Sequence, residues 1–231
     1  MKNFFKISKP FKSTVFDNYD DYKKIQYRSD PKEFLDSRLK ITSSFTYIIP
    51  ELIRLGINIP VKESEGITKG QLKGNEIKIL DAGCRDGWTI EFLNSLGYTN
   101  VTGLELFDEY VNYCNERGRK AVKGDVHDLE FKEGIFDFVY CRHTLEHCLD
   151  PVKVIGEFLR VTKKGGAVYI SFPLESETFG KHTTAIPNVE AVNAILSKIK
   201  LKFNPIYVDK TENLKEIIPE GEEMIIFLQK T

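Results

Sequence analysis

Residues 79–87 read Ile79-Leu80-Asp81-Ala82-Gly83-Cys84-Arg85-Asp86-Gly87. A short apolar run ends in an acid, and a glycine turn then opens onto an amphipathic stretch that Gly97 closes. That order predicts a strand, a turn and a helix. In a parallel sheet ligands bind beyond the carboxyl ends of the strands, so Asp81 stands where a carboxylate meets an ammonium group. Gly83 lets a ligand approach the main chain closely, and Gly87 permits the tight entry into the helix. Taken alone, the stretch equally suits a strand–turn–helix corner with no ligand.

Two further strand ends repeat the arrangement. Val101-Thr102-Gly103-Leu104-Glu105 places an acid where it can accept both hydroxyls of a ribose. Gly124-Asp125-Val126 offers a carboxylate for an exocyclic amine and a main-chain N–H for a ring nitrogen, a pair that reads adenine. Between and after these segments strands and helices alternate. Strands are predicted at Ile77–Asp81, Val101–Glu105, Lys120–Asp125, Phe136–Cys141 and Ala167–Phe172, the last entered through a Gly165-Gly166 turn. Helices are predicted at Gly87–Leu96, Asp108–Arg117, Pro151–Thr162 and Val189–Lys200. The link from Asp125 to Phe136 is too short for a helical crossover. Two final strands, near Ile206–Asp209 and Met224–Gln229, lack a helix between them, so the last is expected to pair antiparallel. Alternation of this kind gives an α/β fold with a mostly parallel sheet covered on both faces, which is why IKIL, FDFVY and AVYISF are nearly continuously apolar.

Upstream, residues 31–55 carry apolar positions at helical spacing, with Pro50 as a kink or a break. Residues 62–76 read as a polar linker, so the chain divides into an N-terminal helical extension and linker over 1–75 and a strand–helix domain over 76–231. The aromatic residues Phe11, Phe16, Tyr19, Tyr22 and Tyr27 suit either a lid over the site or a flap packed on the sheet.

Composition excludes several classes. The 231 residues are 41% hydrophobic and 29% charged, an ordinary globular balance. Lysine and arginine total 33 against 34 acids, a net charge of −1, which does not favour a nucleic-acid partner. No apolar run reaches the roughly 18 residues of a membrane span, and MKNFFKISKPFK lacks a secretory apolar core. The four cysteines form no C-x-x-C pair, so a reduced, cytoplasmic protein is expected.

The segment Phe136-Asp137-Phe138-Val139 continues to Leu145-Glu146-His147, then to Arg160-Val161-Thr162-Lys163-Lys164-Gly165-Gly166. With the three strand ends it gives an ordered set over residues 77–173 that resembles the class I S-adenosylmethionine-dependent methyltransferases. Within them it is similar to the broad family reading FD-x-V, LEH and R-V-x-K-x-G-G. The resemblance implies a Rossmann-like seven-stranded sheet of order 3-2-1-4-5-7-6 with the last strand antiparallel. It implies S-adenosylmethionine as cofactor. Asp81, Gly83 and the Cys84 main chain would hold its methionine end and Glu105 its ribose, with Leu106 beside the adenine and Asp125 and Val126 on the adenine edge. Cys141 would offer a carbonyl near the sulfonium. The family's acid-x-G-x-G-x-G has Arg85 at its middle glycine; Arg85 either reaches the cofactor carboxylate or faces solvent.

Methyl transfer needs a general base only if the acceptor must lose a proton. His143 and His182 are the candidates; His147 is expected to make a structural hydrogen bond and His127 to sit in a loop. Cys141, His143, His147 and Cys148 match no common zinc spacing, so no metal site is expected. The leading reading is an enzyme methylating a small molecule, with oxygen slightly ahead of other acceptor atoms. The alternative, resting on Arg85, is a methyltransferase-like module that binds cofactor or a partner without catalysis. A nicotinamide oxidoreductase would need G-x-G-x-x-G, which is lacking here.

Overall fold

The computed structural model describes residues 12–13, 41, 44–46, 48–57, 76–178, 180, 182–210 and 223–231. The expected linker at 62–76 and the aromatic cluster from Phe11 to Tyr27 lie almost wholly outside them.

The chain runs β1 (Lys12–Ser13), β2 (Ile79–Ala82), α1 (Trp88–Ser95), β3 (Val101–Glu105), α2 (Asp108–Glu116), β4 (Ala121–Lys123) and β5 (Phe136–Arg142). A 3-10 turn (Leu145–His147) leads to α3 (Pro151–Val161), β6 (Thr162–Pro173), β7 (Thr184–Ala185), α4 (Val189–Leu196), β8 (Phe203–Lys210) and β9 (Glu223–Lys230). The large sheet has seven strands in the order β4-β3-β2-β5-β6-β9-β8. Counted along the chain within that sheet this is 3-2-1-4-5-7-6, and β9 runs antiparallel to both its neighbours, as expected. β1 and β7 make a separate antiparallel pair.

Strand alternation sends successive side chains to opposite faces. On one face Leu80, Leu104, Val139, Val168, Ile170 and Ile226 pack with α3 and α4. On the other, Ile79, Phe138, Tyr140, Tyr169, Ile225 and Phe227 pack with α1 and the N-terminal helical residues. In that N-terminal stretch 41, 44–46 and 48–54 are helical, and Ile41, Phe45, Ile48 and Leu52 form its buried stripe. Pro50 is itself helical and does not end the segment. Phe45 stacks on Tyr140 at 5.1 Å and meets Phe92 at 5.3 Å. The helices start where the sequence supplies caps: Asp150 accepts from the Lys153 N–H at 3.0 Å ahead of Pro151, and Asn188 accepts from Ala191 at 2.9 Å.

Several boundaries differ from the sequence expectation, three of them with a structural consequence. β6 begins at Thr162, so Gly165 and Gly166 are absorbed into an irregular strand entry rather than preceding it. A Cβ on Gly166 would lie 2.7 Å from the Asp137 carbonyl, so close backbone approach explains that glycine. β4 ends at Lys123, leaving Asp125 in a turn bridged to Asp128. α4 stops at Leu196 rather than running to residue 200.

The motif residues of the fourth-strand segment are fastenings. Asp137 accepts from the Lys78 N–H and from Lys163 Nζ, both at 2.8 Å. Arg160 donates to the carbonyls of Phe131 and Leu129 at 2.8 and 2.7 Å, pinning the loop that replaces a crossover helix.

Phe45→Ala should lower stability by about 3–5 kcal/mol, since it removes a buried aromatic from two ring contacts. Urea unfolding measures this; a change below about 1 kcal/mol would mean that the N-terminal helix does not dock on the sheet.

Candidate active site

The carboxyl ends of β2 and β5 open onto a cleft lined by Asp81, Gly83, Cys84, Arg85, Asp86, Trp88, Thr89, Tyr140, Arg142, His143 and, from the N-terminal helix, Ile41; Glu105, Leu106, Asp125, Val126 and Cys141 do not line it. Parallel register sets this convergence, because Asp81 lies opposite Gly103 on β3 and Tyr140 on β5.

Asp81 is buried, and its Oδ2 has no hydrogen-bond partner among the described residues. Burial, with the nearby charges of Asp86 and Glu105, pushes its carboxyl up to about 8. A buried acid in that state gains its charged form when a cation lies beside it. Glu105 is also buried and raised by desolvation, but three main-chain N–H groups oppose the shift. Its Oε2 accepts from Arg85 at 2.9 Å, and its Oε1 accepts from Leu106 at 2.8 Å and Phe107 at 3.3 Å. These donors hold the Glu105 carboxylate beside the first loop, with Leu106 following it at the rim.

The loop itself winds through left-handed backbone at every second residue: Gly83 (φ 81°), Arg85 (φ 49°) and Gly87 (φ 72°). Arg85 therefore adopts the conformation a glycine would take at that position, and a non-glycine residue pays for it with roughly 1–2 kcal/mol. Gly83 is required for a second reason. A Cβ there would sit 2.1 Å from Thr144 Oγ1, because the first loop and the loop after β5 touch. The N–H groups of Gly83 and Cys84 both donate to the Leu104 carbonyl, at 2.9 and 3.0 Å. Any hold on a ligand by these two residues must use other main-chain atoms. The Cys84 side chain is buried, facing Gly103.

Asp125 is turned onto His127. Its Oδ1 accepts from the His127 N–H at 2.9 Å and lies 2.7 Å from Nδ1. Nε2 of the same ring accepts from Leu149 N–H at 3.0 Å, which puts the ring proton on Nδ1. His127 is thus a buried clasp between two loops, more than the plain loop residue the sequence suggested. Val126 is buried beside it. Cys141 lies within β5, paired with Ile170, and the strand continues one residue further to Arg142.

His143 occupies left-handed backbone (φ 50°) just past β5. Its Nε2 lies 2.7 Å from Glu223 Oε1, and its Nδ1 3.5 Å from Glu146 Oε1. Arg142 Nη2 donates to the same Glu223 oxygen at 2.6 Å. Sequence reasoning missed Arg142 and Glu223. Glu223 comes from β9, far along the chain, and nothing local marks it. His182 has other partners than His143: its Nδ1 is 2.6 Å from Glu175 Oε1, and its ring meets that of His147 edge-on at 4.8 Å.

Residues 80–170 match the family model described as a methyltransferase domain. The chain is 31% identical over 100 residues to a malonyl-[acyl-carrier protein] O-methyltransferase of Erwinia pyrifoliae, covering 42% of this chain and 38% of that protein. It is 35% identical over 101 residues to a ubiquinone biosynthesis O-methyltransferase of Xanthomonas oryzae pv. oryzae, covering 41% and 42%. The match thus spans about two fifths of the length of these curated relatives. In fold the chain is similar to an S-adenosylmethionine-dependent methyltransferase from Mesorhizobium loti, with a TM-score of 0.55 and 14% identity, over 68% of this chain and 92% of that one.

Arg85→Gly should leave stability unchanged or raise it by up to roughly 1 kcal/mol, because relief of left-handed strain offsets the added freedom of the unfolded chain. A loss above about 1 kcal/mol in urea unfolding would show that the Arg85 side chain holds the loop.

Proposed function

We propose, from the premise that residues 80–170 carry a class I S-adenosylmethionine-dependent methyltransferase domain, that the chain methylates a small-molecule acceptor, on oxygen before other atoms. The observation that carries this reading is Asp81, a buried carboxylate with an unpartnered oxygen at the end of the central strand. The ammonium of a methionine moiety is the partner it fits. Glu105, its carboxylate held at the rim by main-chain donors, suits the ribose hydroxyls. Leu106, Asp125 and Val126 follow in order for the adenine. Asp125 would keep its clasp on His127 and use its second oxygen for the exocyclic amine. Gly83, Cys84, Arg85, Gly87 and Cys141 border the methionine end.

When bound, the cofactor supplies a methyl group on a sulfonium, already activated for in-line displacement. The protein's part is to orient the acceptor, exclude water and, for a hydroxyl, take up a proton. His143 is the residue placed for that step. With Nε2–H donated to Glu223, the base atom is Nδ1, and Glu223 orients the ring as the acid of a triad does. Arg142 shares the Glu223 carboxylate and fixes its position. His182, turned to Glu175 and His147, is less well placed for the same task. The relative named for ubiquinone biosynthesis supports a small-molecule acceptor, and the balanced charge of −1 supports no nucleic acid. Among the described residues no helix is long and apolar enough to cross a membrane. The Arg85 backbone follows the left-handed path of glycine, which weighs against a module without catalysis.

Calorimetry should find S-adenosylmethionine and S-adenosylhomocysteine both bound, and Asp81→Asn should weaken binding by about 1–3 kcal/mol. The pH dependence has a definite sign. The Asp81 carboxyl holds its proton up to about 8 in the free protein, so pairing with an ammonium at lower pH must release it. Affinity should therefore fall as pH drops below about 8, with proton release seen as a heat that depends on the buffer. Absence of binding to either compound would overturn the reading.

His143→Ala should slow methyl transfer by about 10²–10⁴-fold while leaving cofactor affinity unchanged. The acceptor for that assay comes from cell extract incubated with labelled cofactor, in which mass spectrometry seeks a product heavier by one methyl group. An undiminished rate would remove His143 from the mechanism.

A further inference from the structure

We propose that Glu146, His147 and His182 form a binding site for a divalent cation of the zinc class. Their ligand atoms, one carboxylate oxygen and two imidazole nitrogens, all lie within 4.8 Å of one another. Sequence spacing led to no metal site, because Cys141, His143, His147 and Cys148 match no common zinc pattern. The Cys148 thiol donates to the Thr144 carbonyl at 3.2 Å, and Cys141 is buried in β5. The third ligand comes instead from the loop after β6, which no local pattern connects to the Glu146-His147 pair.

The independent observation is Glu146. It is 2% exposed, and neither carboxylate oxygen has a hydrogen-bond partner among the described residues; His143 Nδ1 and His147 Nε2 stand off at 3.5 and 4.0 Å from Oε1. Buried carboxylates without partners are rare because each forgoes its hydration for nothing. Glu175 and Glu223 add negative charge nearby against Arg142, so the surroundings favour a further cation. The alternative is a carboxyl that keeps its proton in dry surroundings, and the test below separates the two.

The neighbourhood is built to hold such ligands. Glu175 lies 2.6 Å from His182 Nδ1, which fixes that ring and would leave Nε2 as its ligand atom, the carboxylate–histidine support common at metal sites. The Thr183 N–H donates to the Glu146 carbonyl at 2.8 Å, and Thr184 Oγ1 donates to the Cys148 carbonyl at 2.5 Å. These two bonds tie the loop carrying His182 to the 3-10 turn carrying Glu146 and His147. Tetrahedral ligation at bonds of about 2.1 Å needs ligand atoms roughly 3.4 Å apart. The widest pair must close by about 1.4 Å, within reach of side-chain rotation. Two nitrogens and one oxygen suit Zn²⁺ or Co²⁺ better than Mg²⁺ or Ca²⁺, which prefer all-oxygen shells. Three protein ligands also leave a position for water or for an acceptor oxygen.

The test uses the full chain, freed of metal by chelator, and needs no methyl-transfer assay, so it stands apart from the proposed reaction. Zn²⁺ titrated by calorimetry should bind once per chain, and Co²⁺ should give visible absorption bands of nitrogen–oxygen ligation. Glu146→Gln and His182→Asn should each weaken Zn²⁺ binding at least ten-fold, with folding verified by circular dichroism. Crystals soaked in Zn²⁺ should show an anomalous scattering peak between the three side chains, which decides the matter if a variant fails to fold. No Zn²⁺ bound by the wild-type chain, unchanged affinity in both variants, or a peak elsewhere would overturn the proposal.

Discussion

β2 lies in the middle of the sheet with a parallel neighbour on each side, and all of its residues are buried. Parallel strands need crossovers, and the crossovers return every strand to the same starting edge. The loops that leave β2, β3 and β5 are therefore collected at one end. Close contact follows: the first loop rests against the loop after β5 so tightly that Gly83 has no room for a Cβ. The cleft is a consequence of that crowding, and no single residue creates it.

Charge is the second organising feature of this end of the molecule. Asp81, Glu105 and Glu146 are all buried acids, and desolvation raises each of them. They are treated differently by the backbone. Glu105 receives three main-chain N–H groups and belongs to a finished local structure. Asp81 and Glu146 each keep at least one carboxylate oxygen without a hydrogen bond among the described residues. Such groups reduce the stability of the protein standing alone, and they are the places where a cationic ligand gains most. Arg142, between these acids on β5, is already committed to Glu223.

Much of this was legible along the chain. The acids at 81, 105 and 125 follow strand ends that local apolar patterning marks clearly, and the alternation of elements implies the parallel sheet. Arg85 was legible as a departure but not in its consequence. Only the backbone angle shows that the loop keeps its left-handed course at that residue. The FD-x-V and R-V-x-K residues stood out as motifs, yet what they do is fasten loops: Asp137 to Lys78 and Lys163, Arg160 to Leu129 and Phe131. The β6 entry was misplaced because glycines are strong turn signals, whereas here they serve close packing against Asp137.

By itself, then, the sequence determined the class of fold, the strand order that the resemblance implies and the acids at or just past the strand ends, because these depend on short-range periodicity and on residues at strand ends. The tertiary structure alone decided which groups stand around His143 and Glu146. Glu223 arrives on the antiparallel strand β9, and His182 on a loop that two hydrogen bonds pin to the 3-10 turn. Contacts between residues so far apart in the chain leave no periodic trace, since they arise from how layers pack and not from how a segment coils.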